Sequence, residues 1–286
     1  MPQDVRQSAH REAGPSAPRF LMVSTPRHPI VVGHSMGILS SEAIVLRTYP
    51  LRETDKLVVA YTRKYGKVRG VARGSRRIKS RFSGRLEPLS WVELVAFEGR
   101  NQELVSIDKV ELLKGYGLAI KDYKAFLRSS YLLELLMETV PEREANDSLF
   151  RLLLHVLPLL GDSNQSRLAS VYFQIWHLKL AGLLPSLTAC SGCGGGLSPG
   201  TGAYRQLDDL GFFCRECRQG TGRRIDGDVL KLAGLVVRKS LPELAGGRVA
   251  REAVSALDAV AEEMVQSGFE RKFDSLSLLR RESGNR

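Results

Sequence analysis

Four cysteines, Cys190, Cys193, Cys214 and Cys217, form two Cys-x-x-Cys pairs separated by 20 residues. A two-residue spacer turns both thiolates of a pair toward one ion, with Gly192 and Gly194 easing the turn, and two such pairs complete a tetrahedron suited to zinc. Sulfur would fill all four coordination positions and leave none for water or substrate. The expected cofactor is therefore one structural Zn2+. A thioredoxin-like redox reading has no use for a second pair, and disulfides would need an oxidising compartment that nothing in the N-terminal stretch indicates.

The second constellation is cationic. Net charge is +11, and ten of the 42 Lys and Arg residues fall between Arg63 and Arg85, a stretch without Asp or Glu; elsewhere 32 cations face 31 anions. A charge excess confined to one segment is the form expected of a polyanion-binding face. The candidate DNA contacts are Arg63, Lys67, Arg69, Arg73, Arg76, Arg77, Lys79, Arg81 and Arg85, on what reads as a flexible loop between strands and its flanks. If about six of them engage single-stranded DNA, log K should fall against log salt with a slope of roughly −4. Tyr49, Tyr61, Tyr65 and Trp91 read first as core aromatics, whereas Phe82, inside the cationic run, is the best candidate to stack on a base.

Motifs for catalysis are missing. Gly66-Lys67 lacks the remainder of a phosphate-binding loop, and no His-Glu-x-x-His or Lys-x-Asp-Gly nucleophile motif occurs. His155 and His177 read as core histidines on apolar helices; the pairs Glu142/Glu144, Asp208/Asp209 and Glu262/Glu263 read as solvated turns or helix faces. The chain is expected not to be an enzyme, and no catalytic residue is assigned.

These residues need elements to carry them. At 286 residues with 43% apolar content, the chain is long enough for about two domains. Strands are expected at 43–49, 56–62, 67–73, 91–97 and 103–112, and five strands in so short a span fit a small closed barrel. In the third, Val68, Gly70 and Ala72 alternate with Lys67, Arg69 and Arg73, one face entering the barrel and the other presenting cations. Beyond Gly117 the spacing becomes helical, with Tyr123, Phe126, Leu127, Tyr131, Leu135 and Leu136 on one element. A second helix is capped near Asn146, and a third runs from about Arg167 to Leu184 before Pro185. Helices resume near Asp228, with Pro242 and Gly246-Gly247 as breaks and a stripe from Val254 to Val265.

The fold class expected is α+β, an N-terminal five-stranded OB-fold β-barrel followed by an all-helical domain with an inserted four-cysteine zinc finger. The expected boundaries are a disordered leader over 1–36, the barrel over 37–115, helical parts over 116–189 and 223–280 around a zinc-finger insert at 190–222, and a flexible tail at 281–286. Met36, where ordered-looking sequence begins, is a candidate translation start. No stretch reaches the roughly 20 apolar residues of a membrane span, and the chain is expected to be cytoplasmic.

The ordered set Glu42-Ala-Ile-Val-Leu-Arg47, Asp55-Lys-Leu, Gly66-Lys67, Gly70-Val-Ala-Arg-Gly74, Arg76-Arg77, Lys79-Ser-Arg-Phe82 and Leu86-Glu-Pro-Leu89 resembles the N-terminal domain of the bacterial RecO recombination mediators. The cysteine insert within a helical region is similar to the zinc-bearing members of that family. The resemblance runs from about Ser40 to Leu279. It implies binding of single- and double-stranded DNA, annealing of complementary strands, and exchange of single-strand-binding protein (SSB) for RecA together with RecR. It also implies docking of the SSB C-terminal tail on the helical domain, and neither a membrane nor a nucleotide as partner. The alternatives are an RNA-binding barrel with a zinc ribbon and a metal-dependent nuclease using one of the acidic pairs.

Overall fold

The computed structural model describes residues 37–99, 103–117, 120–198, 200, 202–206, 209–220 and 222–284; the expected leader and Asp208 lie outside them. Five strands, β1 (Ile38–Leu51), β2 (Asp55–Thr62), β3 (Gly66–Ala72), β4 (Ser90–Phe97) and β5 (Val105–Gly115), close into a barrel in the order β1-β2-β3-β5-β4. This is an OB-like barrel, and every pairing is antiparallel except the short parallel contact of β3 with β5 that closes it. β1 is longer than the sequence pattern suggests because one strand serves two neighbours. Residues 38–44 pair with β4 and 43–51 with β2, and the register slips between Val45 and Arg47 where the strand bends from one partner to the other.

Period-two alternation sorts the barrel residues. Ala43, Val45, Val58, Ala60, Val68 and Ala72 point inward with Val92, Leu94 and Ile107. At Gly70 a Cβ would sit 2.8 Å from Ile107 Cγ1 and Val105 Cγ2, so the interior at this level has no room for a side chain. The opposite face of β1 and β2 is also buried: Ile44, Leu46, Val59 and Tyr61 belong to the same core cluster as the helices. Barrel and helical region therefore share apolar packing.

The helices are α1 (Tyr123–Thr139), α2 (Asp147–Leu160), α3 (Ser163–Leu180), α4 (Gly227–Val236), α5 (Leu241–Gly246), α6 (Arg251–Phe269) and α7 (Asp274–Gly284). Asp122 and Asn146 cap α1 and α2, their side chains accepting the Ala125 and Leu149 N–H groups. α3 ends at Leu180, ahead of the expected Leu184. Gly182 adopts φ +72° and the Leu183 N–H returns to the Leu178 carbonyl, so glycine rather than Pro185 terminates the helix. Pro242 likewise starts an element instead of breaking one, in the first turn of α5 behind the Ser240–Glu243 capping box. α7 continues through Gly284, into the stretch expected to be a tail.

Tyr123 and Phe126 depart from the expected apolar face: both are exposed, and their rings stack on each other at 6.4 Å. The helical core instead holds charge, since Arg128 and Asp258 are both buried and pair at 2.8 Å, with Gln174 reaching the second Asp258 oxygen at 3.3 Å. His177 is a core residue as expected, stacked between Phe173 and Phe269, but His155 is exposed. Three short strands, β6 (Ala203–Arg205), β7 (Phe212–Phe213) and β8 (Arg223–Ile225), form a small sheet around the cysteines. Among the described residues, no helix is long and apolar enough to cross a membrane.

Candidate metal centre and nucleic-acid interface

The two cysteine pairs fold alike. In each, the residue four beyond the first cysteine donates its N–H to that cysteine's carbonyl: Gly194 to Cys190 at 2.9 Å, and Arg218 to Cys214 at 3.1 Å. The repeated turn points four sulfurs inward, all within 4.8 Å of one another, with Cys193 and Cys214 Sγ at 3.9 Å. Zinc–thiolate bonds of about 2.3 Å put the sulfurs of a tetrahedron about 3.8 Å apart, so this donor set fits such an ion. Gly192 is required here, because a Cβ would lie 2.9 Å from Cys217 Cβ.

The electrostatics of the cluster call for a cation. Burial raises the Cys190 thiol, but N–H groups of Cys193, Cys214 and Gly192 outweigh it and bring it down to about 6. Cys217 is pushed up to about 12, chiefly by the Cys214 and Cys193 sulfurs, because adjacent thiols cannot all ionise without a positive charge among them.

The cationic stretch divides into two groups. Arg63, Lys67 and Arg69 lie against the helical region. Arg63 pairs with Glu42 at 2.9 Å and Asp147 at 2.6 Å, and Arg69 pairs with Glu142 at 2.5 Å. Lys67 donates to the Met137 carbonyl at the end of α1, and burial pulls its ammonium below the ordinary lysine value. Glu142 is exposed on the connection between α1 and α2, as expected, and there also serves as the ion-pair partner of Arg69. Glu262, by contrast, departs from the solvated helix face expected of it: it is buried and paired with Arg280 at 3.0 Å, while Glu263 pairs with Arg223 at 3.2 Å.

The second group, Arg73, Arg76, Arg77, Lys79, Arg81 and Arg85, is exposed on the segment between β3 and β4. This segment is a chain of turns, closed by N–H bonds from Arg77 to Gly74, Ser80 to Arg77, Ser83 to Ser80 and Arg85 to Phe82 at 3.0–3.2 Å. Asp55 holds its entry, accepting the Gly74 N–H at 2.8 Å, and that bond holds the carboxyl below its usual value. Arg76 donates to the Arg52 carbonyl at 3.0 Å, Arg85 to the Val110 carbonyl at 3.0 Å, and Arg81 pairs with Asp108 at 3.2 Å.

Phe82 corrects the expectation placed on it. It is 2% exposed and packs with Leu86 inside the barrel cluster, while Arg81 lies over its ring at 4.9 Å. From the β3–β4 loop Phe82 joins the barrel's own core cluster, which draws residues from all five strands, and so plugs the barrel. Its ring is not available to a base. Tyr61 is buried against the helices, Trp91 donates to Glu42 at 3.1 Å, and Tyr49 is exposed beneath Arg47.

The family profile described as "Recombination protein O N terminal" matches residues 36–116, and "Recombination protein O C terminal" matches 120–277. The chain belongs to the RecO family. The DNA repair protein RecO of Koribacter versatilis is 33% identical over 247 residues, covering 84% of this chain and 97% of the relative. Those of Caldanaerobacter subterraneus subsp. tengcongensis and Bifidobacterium longum subsp. infantis are 30% and 35% identical, covering 84% and 66% of this chain and 96% and 78% of the relatives.

Several positions that shape this RecO-family site carry no signal of their own in the sequence. Asp55 anchors the loop from 19 residues away, and Glu142 and Asp147 pair with Arg69 on β3 and Arg63 in the turn before it from 73 and 84 residues away. The Asp55-Lys-Leu triplet marks the first as part of a motif without saying what the carboxylate holds. Arg52, exposed beside Arg76, extends the cationic surface beyond the stretch that charge counting isolates.

Proposed function

We propose that this chain is a non-enzymatic mediator of recombinational DNA repair. Its cationic β3–β4 loop binds the phosphates of single- and double-stranded DNA, complementary strands anneal on it, and with RecR it helps load RecA onto DNA coated by SSB. The observation that carries this reading is the set of six exposed cations on a segment pinned at its entry by Asp55 and midway by buried Phe82. Cations on a held loop bind phosphate without first losing the freedom of a mobile segment. Each neutralised phosphate releases counterions, and screening two backbones on one surface lowers their mutual repulsion. Annealing by this route needs no nucleotide and no catalytic residue.

The four cysteine thiolates hold one Zn2+, which contributes structure and no chemistry. Cys190, Phe212, Phe213 and Ile225 join the helical core, so the metal-bearing insert supports the surface on which protein partners, including the SSB tail, are expected to dock. The protein acts in the cytoplasm.

Strand annealing tests the reading: complementary oligonucleotides, bare and SSB-coated, are mixed with the protein without ATP at two salt concentrations. Salt-sensitive annealing that persists on coated strands is the expected result. Binding without annealing of coated strands removes the mediator role, and stronger competition by RNA than by DNA favours an RNA-binding barrel instead.

A further inference from the structure

We propose that Ile78 is an apolar wedge that enters between the bases of bound single-stranded DNA. The inference rests on the β3–β4 loop being the DNA face. Ile78 is 100% exposed, the extreme among the large apolar residues of the protein's described surface. The loop's other large apolar side chains, Phe82, Leu86 and Leu89, are all turned into cores, so Ile78 takes no part in plugging the barrel.

Its location is unfavourable for a structural role. The Ser80 N–H donates to the Arg77 carbonyl at 3.0 Å, which puts Ile78 at the first corner of a tight turn. Such corners favour Gly, Pro, Asn, Asp and Ser, whose side chains or backbone suit the geometry. A β-branched apolar residue there gains neither turn stability nor burial in the free protein.

The same location suits a nucleic acid. Ile78 is flanked by the exposed cations Arg76, Arg77 and Lys79, and the turn is held from below by the Arg76 N–H on Thr54 O at 2.9 Å and its guanidinium on Arg52 O at 3.0 Å. A fixed apolar tip ringed by cations complements a strand that presents phosphates outside and base faces within. Isoleucine is among the residues that separate stacked bases in this way. In a single strand the bases are already unpaired, so opening one stack costs less than in a duplex. A single apolar side chain offers too little area to hold a membrane surface, which needs a whole amphipathic face.

The test uses the full chain and a single-stranded oligonucleotide with 2-aminopurine between adenines, a base whose emission rises when it is unstacked. The wild-type protein raises the emission on binding. Ile78→Ser cuts that rise by at least half and weakens binding roughly fivefold, as for one apolar side chain left in water. Its slope of log K against log salt is unchanged, and Ile78→Met retains both signals. Arg76→Ala/Arg77→Ala serves as the control for the loop, with a slope smaller in magnitude by about 1.4. If the control weakens binding while Ile78→Ser matches wild type in emission and affinity, the wedge is overturned and the DNA face stands. If the control leaves affinity and slope unchanged, the face itself falls and the wedge with it.

Discussion

Arg69 on β3 donates its Nε to Glu142 Oε1 at 2.6 Å, joining the barrel to the segment that links α1 and α2. With Arg63, in the turn before β3, on Asp147 and Lys67 on the end of α1, this contact gives the cations at this side of the barrel acceptors within the protein. The charge of the stretch 63–85 is therefore not one uniform surface. Its first third fastens the helices to the barrel, and the remainder stands exposed on the β3–β4 loop, where only Arg81 has an acidic partner, Asp108, among the described residues.

This division predicts a contrast between neighbouring arginines. Arg69→Ala should change single-stranded DNA affinity less than twofold, with a small shift in the urea midpoint, because a half-exposed ion pair contributes little. Arg77→Ala should weaken binding by several fold and leave the urea midpoint where it was. Fluorescence anisotropy and urea melts on both variants separate the roles; equal losses of affinity would mean that DNA displaces Glu142.

Gly66 is a second point on the same seam. It adopts φ +65°, and a Cβ there would collide with the Glu144 backbone. Gly66→Ala should cost about 2 kcal/mol, or roughly 4–8 °C in Tm for a chain of this size, through strain and loss of fit together. A thermal melt within 1–2 °C of wild type would show that the seam tolerates displacement.

The cysteine cluster predicts one zinc per chain by elemental analysis. Cys190→Ser or Cys214→Ser should abolish stoichiometric zinc and destabilise the helical region broadly, since metal binding at such sites is worth on the order of 10 kcal/mol of folding free energy. The broad effect follows from Phe212, Phe213 and Ile225 lying in the common helical core. The barrel is expected to suffer too, because Ile44, Leu46, Val59 and Tyr61 pack against that core and would face water without it. Chelation that removes the metal and leaves the melting profile unchanged would contradict this.

Two buried titrating groups oppose each other in mildly acidic solution. Burial, with the nearby Asp258 charge, raises Glu262 from 4.5 to about 7. Its contribution to stability is thus complete below about pH 4.5 and is lost as pH rises toward 7. Burial lowers His177 from 6.5 to about 4, so its contribution is complete above pH 6.5 and is lost as pH falls toward 4. Between pH 4.5 and 6.5 the two slopes have opposite sign, and the stability of the wild type should be nearly flat in this respect. Glu262→Gln removes one of them, and chemical melts of that variant should show stability rising with pH across the same window.

Much of this architecture is legible from residue type and spacing, for physical reasons that also mark where legibility stops. Alternation of Val68, Gly70 and Ala72 with Lys67 and Arg69 reports the barrel's two faces because a strand repeats every two residues. The Cys-x-x-Cys pairs are readable because their geometry is local to a turn. Phe82 was legible as an aromatic among cations but not as a plug, because the core cluster it joins is assembled from all five strands, from Leu39 on β1 to Val110 on β5. Glu142 could not be assigned to Arg69 for the same reason, as the pair spans 73 residues. Buried Arg128 and Asp258 look like surface charges in a helical pattern, and 130 residues separate them.

The most direct test of the central claim is the salt dependence of single-stranded DNA binding by the wild type and by Arg73→Ala/Arg76→Ala/Arg77→Ala. With about six phosphates engaged, log K should fall against log salt with a slope of roughly −4 for the wild type and roughly −2 for the variant, with affinity lower across sequences. A variant whose affinity and slope match the wild type would contradict the assignment of the β3–β4 loop as the DNA-binding surface.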